Sequence, residues 1–266
     1  MLAFVVPIKP KINSNDWEKD NQLLSRTLKS ICNQTDNNFI AYVIYHEKPV
    51  VEFEHPNIRY IFFPFEYTLS EDIEDLEDYA LKYYGRQYAE YMFDKSKKIT
   101  YGCKNAIDDG CKYIMAIDSD DLISNKIAEF INSSDTKCPG WVVERGYIYL
   151  EGSNFLIKSN NLHGINGSTH IIKSDLVPVP DLQVNKLKHF NFFEAHGYLR
   201  QRIIDLYNLH LQVLPFYGTV YTIHKNNTSA ISDIINRFQL KTYLKYILKG
   251  KLVDKAVREQ FNLYKL

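Results

Sequence analysis

No apolar run in this chain approaches the roughly 20 residues that cross a bilayer. Net charge is also missing: 32 Lys and Arg offset 32 Asp and Glu, whereas a dedicated nucleic-acid binder carries a basic excess. Cysteine is sparse and scattered. Cys32, Cys103, Cys111 and Cys138 form no Cys-x-x-Cys pair, which argues against a zinc site. A chain of 266 residues buries enough core to stand without disulfides, so the four read as reduced thiols of a cytosolic protein. The first segment, Leu2 to Lys9, runs straight into a strand pattern without the basic region and cleavage site of a secretory signal. Repeats and low-complexity stretches are absent. What remains is an ordinary globular composition, 45% hydrophobic and 24% charged, rich in aromatics with 20 Tyr and 15 Phe.

The first half alternates strand and helix patterns. Residues 2–8 form a continuous apolar run, as in a parallel strand buried on both faces. Asn15 followed by Glu18 reads as a capping box, and Leu24, Thr27, Leu28 and Ile31 mark one face of the helix after it. Phe39 to Tyr45 and Ile58 to Phe63 read as further strands, 97–109 as a helix stopped by Gly110, and Lys112 to Ile117 as a fourth strand. This order predicts an α/β fold with a mostly parallel central sheet and helical crossovers. Residues 66–95 read as an inserted helical excursion with an acidic first part. From about residue 231 the pattern turns into basic amphipathic helix. Residues 231–266 hold eight Lys and Arg against three Asp and Glu. Such a tail packs its apolar face on the core, lies on an anionic membrane surface, or does both.

The chemistry concentrates in Tyr113-Ile-Met-Ala-Ile-Asp-Ser-Asp-Asp121. A buried strand there delivers closely spaced carboxylates at its C-terminal end, the edge where open α/β sheets bind ligands. Hard oxygen donors of this kind suit Mg²⁺ or Mn²⁺, with positions left for phosphate oxygens. Taken alone, Asp-x-Asp also fits a turn or a helix cap.

Flanking segments narrow the choice. Phe4-Val-Val-Pro7, Leu24-Ser-Arg-Thr-Leu-Lys-Ser-Ile-Cys-Asn-Gln-Thr35, Lys104-Asn-Ala-Ile-Asp-Asp-Gly110, Asp118-Ser-Asp-Asp121, Gly140-Trp-Val-Val-Glu-Arg-Gly-Tyr147, Gly164-Ile-Asn-Gly-Ser-Thr169 and the run from Leu214 to Ser229 succeed one another in order. Together they resemble the family 2-like glycosyltransferases of the GT-A fold, over about residues 1–230. The resemblance implies a Rossmann-like domain over 1–230 with a C-terminal helical extension. The implied activity is metal-dependent sugar transfer from a nucleotide-diphosphate donor, a UDP-sugar first, to a glycan or lipid-linked acceptor in capsule or lipopolysaccharide assembly. Inversion at the anomeric carbon comes with it, as does a place in the cytoplasm or at the inner membrane face. It further implies a Mn²⁺ or Mg²⁺ held by Asp118, Asp120 and His224, and a nucleotide sugar against Pro7, Glu47, Lys98, Asp118 and Ser119. Lys95, Lys97 and Lys98 all precede the metal strand, and Lys98 is the expected phosphate partner. The general base is expected at Glu194, with Asp181 as rival. Trp141, Tyr147 and Tyr149 read as core ahead of the alternative, rings that stack on sugar.

Two features depart from the family pattern. The second strand ends Tyr45-His46-Glu47, without the aspartate that holds the base, and the usual Glu-Asp pair is missing. These keep a second reading open, a GT-A-like nucleotide-binding or scaffolding subunit without catalysis. A nucleotidyltransferase would need a Gly-rich loop where Pro7-Ile-Lys-Pro-Lys11 stands. A haloacid-dehalogenase-like phosphatase would need a threonine just after the second aspartate.

Overall fold

The computed structural model describes residues 1–76, 85–193, 196–224 and 250–266. Its centre is β1 (Leu2–Pro7), every residue of which is buried. Alternate side chains divide it between two cores. Leu2, Phe4 and Val6 meet Leu24, Leu28 and Ile31 of α1 (Trp17–Ile31). Ala3 and Val5 face the opposite way. Because both faces are covered by helices, the strand is apolar throughout rather than alternating.

Around it, β2 (Phe39–Tyr45) and β3 (Ile58–Phe62) add on one side, all parallel. The long helix α2 (Arg86–Asp108) crosses back and supplies Ile99, Cys103 and Ala106 to the second core. It lies so close to the sheet that a Cβ on Gly102 would stand 2.4 Å from Val5 Cγ1, so only glycine fits there. Then β4 (Tyr113–Ala116) pairs in parallel with β1 on its other side.

The chain next makes the turn 118–121 and enters β5 (Leu122–Ile123), which belongs to a second sheet. After α3 (Ile127–Ser133) come β6 (Gly140–Val142), β7 (Gly146–Leu150), β8 (Phe155–Ser159) and β9 (His170–Lys173). The short α4 (Leu187–Phe190), α5 (His196–Tyr207), β10 (Gln212–Val213) and β11 (Thr219–Ile223) come after these. Among the described residues the main sheet has seven strands in the order β10-β6-β9-β4-β1-β2-β3. Only β9 runs against the rest. The second sheet orders β12-β8-β7-β11-β5, where β12 is Gly250–Leu252. The expected α/β architecture with a mostly parallel central sheet and flanking helices is what the structure has.

Three local readings change. The cap of α1 is Asp16, whose carboxylate accepts from Lys19 N at 2.9 Å, rather than Asn15. Helix α2 begins at Arg86, well inside the stretch read as an insertion. The reason is tertiary: Ala89 and Phe93 pack with Ile73, Leu76, Leu187 and Phe190 in a small core of their own, which no local period announces. Of the tail, residues 225–249 lie outside the described residues. The segment 250–266 is not one helix. Strand β12 pairs antiparallel with β8, and α6 (Lys255–Phe261), capped by Asp254, buries Val257 and Phe261 against Tyr147, Tyr149 and Leu156. Buried Arg26 of α1 ties this end to the body through Glu151 at 2.7 Å and the Tyr264 carbonyl at 3.0 Å. No helix among the described residues is long and apolar enough to cross a membrane.

Candidate active site

The turn after β4 stands where the two sheets meet. Register explains what it faces. Strand β11 pairs antiparallel with β5, Val220 opposite Leu122, so the residues beyond Val220 run back along the turn that precedes β5. Thr222 N accordingly donates to Asp121 Oδ1 at 3.1 Å, and His224 Nε2 lies 2.9 Å from Asp120 Oδ2.

The three aspartates of this turn have separate surroundings. Asp118 Oδ1 is 2.5 Å from Lys95 Nζ, on the α2 face that also carries Tyr88, Tyr91 and Met92. Asp120 meets His224. Asp121 is fully buried and accepts from Asn166 Nδ2 at 2.7 Å and Ser168 Oγ at 2.6 Å as well as from Thr222 N. Burial, then the charges of Asp120 and Asp118, push its carboxyl well above the ordinary range; Ser168 and Asn166 work against them. Ser168 Oγ also accepts from Asp118 N at 2.8 Å, so one hydroxyl joins the buried aspartate to the backbone of the exposed one. On Lys95, burial disfavours the ammonium, but Asp118, Tyr91 and Asp120 outweigh it, so this lysine is held above its ordinary value.

These groups line one cleft. Pro7 and Lys9 close it beyond β1, with Asp20 of α1 in an ion pair with Lys9 at 2.9 Å. Ser119 forms its floor, its carbonyl fixed by Thr27 Oγ1 at 3.0 Å. The loop Ile165–Gly167 forms the facing wall. A Cβ on Gly167 would come within 3.3 Å of Asp118 Oδ2, so the loop backbone lies close against that carboxylate.

Of the residues singled out in the sequence, Pro7, Asp118, Ser119, Asp120 and His224 therefore come together. Others do not. Lys98 is fully buried and donates to Ile8 O at 2.6 Å and Asp94 Oδ2 at 2.8 Å, so its charge is spent inside the protein. Of the three helix lysines Lys95, Lys97 and Lys98, Lys95 is the one that reaches the cleft. Lys97 is buried among Phe65, Phe93 and Phe190. Glu47 is exposed and accepts from Lys11 N at 3.0 Å, outside the cleft lining. His46 is 2.8 Å from Asp94, so the end of β2 is closed by a His46–Asp94–Lys98 network instead of presenting a free carboxylate. Asp181 is exposed, caps its own turn by accepting from Gln183 N at 2.9 Å, and is not in the cleft lining. Glu194 lies outside the described residues. Trp141, Tyr147 and Tyr149 are core, as read.

The sequence reading missed Asp121, Asn166 and Ser168 as a unit, although the segment holding the last two was singled out. Their partners lie 45 and 47 residues apart, beyond any local signal. Glu144 and His163 stand beside the same loop but outside the cleft lining. Glu144 Oε1 accepts from Arg200 Nη1 at 2.9 Å. Burial, against the pull of Glu144, holds His163 below its ordinary value.

Asp118, Asp120 and His224 are the side chains of the cleft that could hold a divalent cation. A carboxylate and an imidazole converge at Asp120 and His224, with the Asp118 carboxylate two residues away. Mg²⁺ and Mn²⁺ sites of this size take one or two protein carboxylates and fill the rest with phosphate oxygens and water. Among the described residues no three His, Cys, Asp or Glu side chains form a metal cluster by themselves.

No protein-family model matches the chain, and no curated protein does. Solved structures do. The Staphylococcus aureus TarS fragment 1–349 is 11% identical, with 83% of this chain and 60% of that one covered and a TM-score of 0.45. The same fragment in complex with UDP-GlcNAc gives 10%, 85% and 59% coverage, and 0.45. An active-site mutant of LgtC gives 10%, 97% and 99%, and 0.39. This chain thus spans about three fifths of the TarS fragment's length. The functional reading rests on the cleft's own residues.

Proposed function

We propose that the protein is a glycosyltransferase that moves a sugar from a nucleoside-diphosphate donor, a UDP-sugar first, to a glycan or lipid-linked acceptor. The observation that carries this is the convergence of Asp118, Asp120, His224 and Lys95 in one cleft at the C-terminal edge of the parallel sheet. Ligands bind that edge in open α/β sheets, and the mixture of carboxylates, imidazole and ammonium fits a cation and a diphosphate together.

Asp120 and His224 would hold Mn²⁺ or Mg²⁺, with Asp118 beside them. Such a cation neutralises charge on the departing diphosphate. Lys95 contributes a positive charge to the same task. Pro7 and Ser119 shape the donor side of the cleft. Tyr88, Tyr91 and Tyr221 line it with aromatic surface, where a sugar or base ring stacks. The acceptor hydroxyl must lose a proton as the new bond forms. Glu194 is the proposed base for an inverting transfer, and Asp181 the weaker one because its carboxylate is engaged in its own turn. The acceptor would belong to capsule or lipopolysaccharide assembly. The basic stretch in 231–266 would bring the enzyme to an anionic inner membrane face.

A second reading has one observation behind it. At the end of β2 the Asp94 carboxylate is closed into a network with His46 and Lys98, and Glu47 lies outside the cleft lining, as in a GT-A-like subunit that binds or scaffolds without turnover. Thermal shift against nucleoside diphosphates, with and without Mn²⁺, tests both, since native-state binding raises apparent stability. A Mn²⁺-dependent shift with UDP that disappears in Asp120→Ala is expected. No shift with any nucleotide sinks the donor site. A shift without transfer or donor hydrolysis would favour the binding subunit.

A further inference from the structure

The Lys95–Asp118 pair lies in the cleft wall, and its two side chains remain 20% and 27% exposed. One turn along α2, the Lys98–Asp94 pair is sealed at 0% and 3%. The outer pair is therefore the one that a ligand can open. Lys95 Nζ stands 2.5 Å from Asp118 Oδ1, the position from which a cation would draw charge, and it also feels Asp120. A lysine is a compact cation on a flexible four-carbon stem, able to change partner within a few ångströms.

We propose that Lys95 couples metal and diphosphate binding. In the ligand-free cleft it takes the place of a metal at Asp118, which leaves Asp120 and His224 as a weak two-donor site. A bound diphosphate offers the ammonium a new partner, frees Asp118, and makes the site competent for a divalent cation. By reciprocity the cation raises diphosphate affinity by the same factor. This inference rests on the transferase reading for the diphosphate, though not for the role of Lys95 at Asp118.

The test is Mn²⁺ titration of the full chain, by calorimetry or by the electron paramagnetic resonance of free Mn²⁺. It is run alone, with inorganic pyrophosphate and with UDP, after measuring Mn²⁺ association with each anion in solution. The wild-type protein should bind Mn²⁺ at least about tenfold more tightly when pyrophosphate or UDP is present. Lys95→Met should bind Mn²⁺ alone about tenfold more tightly than wild type and lose most of the coupling. Lys95→Arg, which keeps the charge, should restore it. Lys95→Gln replaces Lys95→Met if the latter fails to fold by circular dichroism. The proposal is overturned if Lys95→Met and Lys95→Gln bind Mn²⁺ alone no more tightly than wild type. It is likewise overturned if the wild-type protein binds Mn²⁺ equally well with and without a bound anion. If no nucleotide or pyrophosphate binds, the transferase reading fails, and the comparison with Mn²⁺ alone still decides whether Lys95 occupies the metal's place. If nucleotide and metal bind together in every variant with unchanged coupling, Lys95 loses this role and the transferase reading stands.

Discussion

Two strand ends of the same sheet gather the same residue types and use them differently. At the end of β4, Lys95 meets Asp118 in an open cleft. At the end of β2, Lys98 and His46 meet Asp94 in a sealed network. The two lysines are three positions apart on α2, so sequence spacing alone does not distinguish their jobs. Solvent does. A sealed pair has given up hydration on both sides, and breaking it strands a charge. Indeed, burial outweighs Asp94 on Lys98 and holds that ammonium below its ordinary value. The half-buried Lys95–Asp118 pair keeps contact with water, so breaking it costs less than breaking the sealed one. The first is architecture and the second is available to a ligand.

That contrast can be broken most directly at Asp94. Asp94→Ala leaves Lys98 buried without its carboxylate and should lower the unfolding free energy by about 3–5 kcal/mol in urea melts. Asp94→Leu with Lys98→Met should lose much less, because no charge is left inside. A loss in the double variant equal to that of Asp94→Ala would mean that packing, and not the stranded charge, dominates.

Asp121→Ala comes next. It removes the acceptor shared by Asn166, Ser168 and the Thr222 amide, and should cost about 1–3 kcal/mol in all, because the carboxyl removed is itself disfavoured by burial. Proteolysis should then cut first in 161–169. Protection equal to wild type would show that the loop is held by other contacts.

Lys95→Met sharpens the comparison from the open side. Its unfolding free energy should stay within about 1 kcal/mol of wild type, whereas its metal and diphosphate binding change as the coupling requires. A loss as large as that of Asp94→Ala would erase the distinction between the two pairs.

The smallest effect concerns His163. Its folded pKa lies below the ordinary 6.5. As pH falls below that value the unfolded chain takes the proton first, so stability is complete above 6.5 and declines towards the folded pKa. His163→Phe should flatten that slope in melts from about pH 7.5 to 5. An unchanged slope would assign the dependence to other groups.

Much of the scaffold was readable in the chain. Leu2–Pro7 is apolar at every position because both faces are covered, and that pattern needs no tertiary information to be recognised. The same holds for the strand that ends in Asp118-Ser-Asp-Asp121. The start of α2 was not readable, since Ala89 and Phe93 bury against segments about 100 residues further on as well as nearby ones. Nor was the tail's strand, whose pairing with β8 depends on residues 155–157.

By itself the sequence determined the α/β alternation and the carboxylates at a strand's C-terminal end. These arise from local periodicity and from the single edge at which parallel strands present their last residues. Only the tertiary structure decided which lysine faces the cleft, that Asp121 is an anchor while Asp118 and Asp120 line the opening, and that His224 lands on Asp120. Those outcomes depend on helix phase, burial and strand register, which bring together side chains up to 104 positions apart.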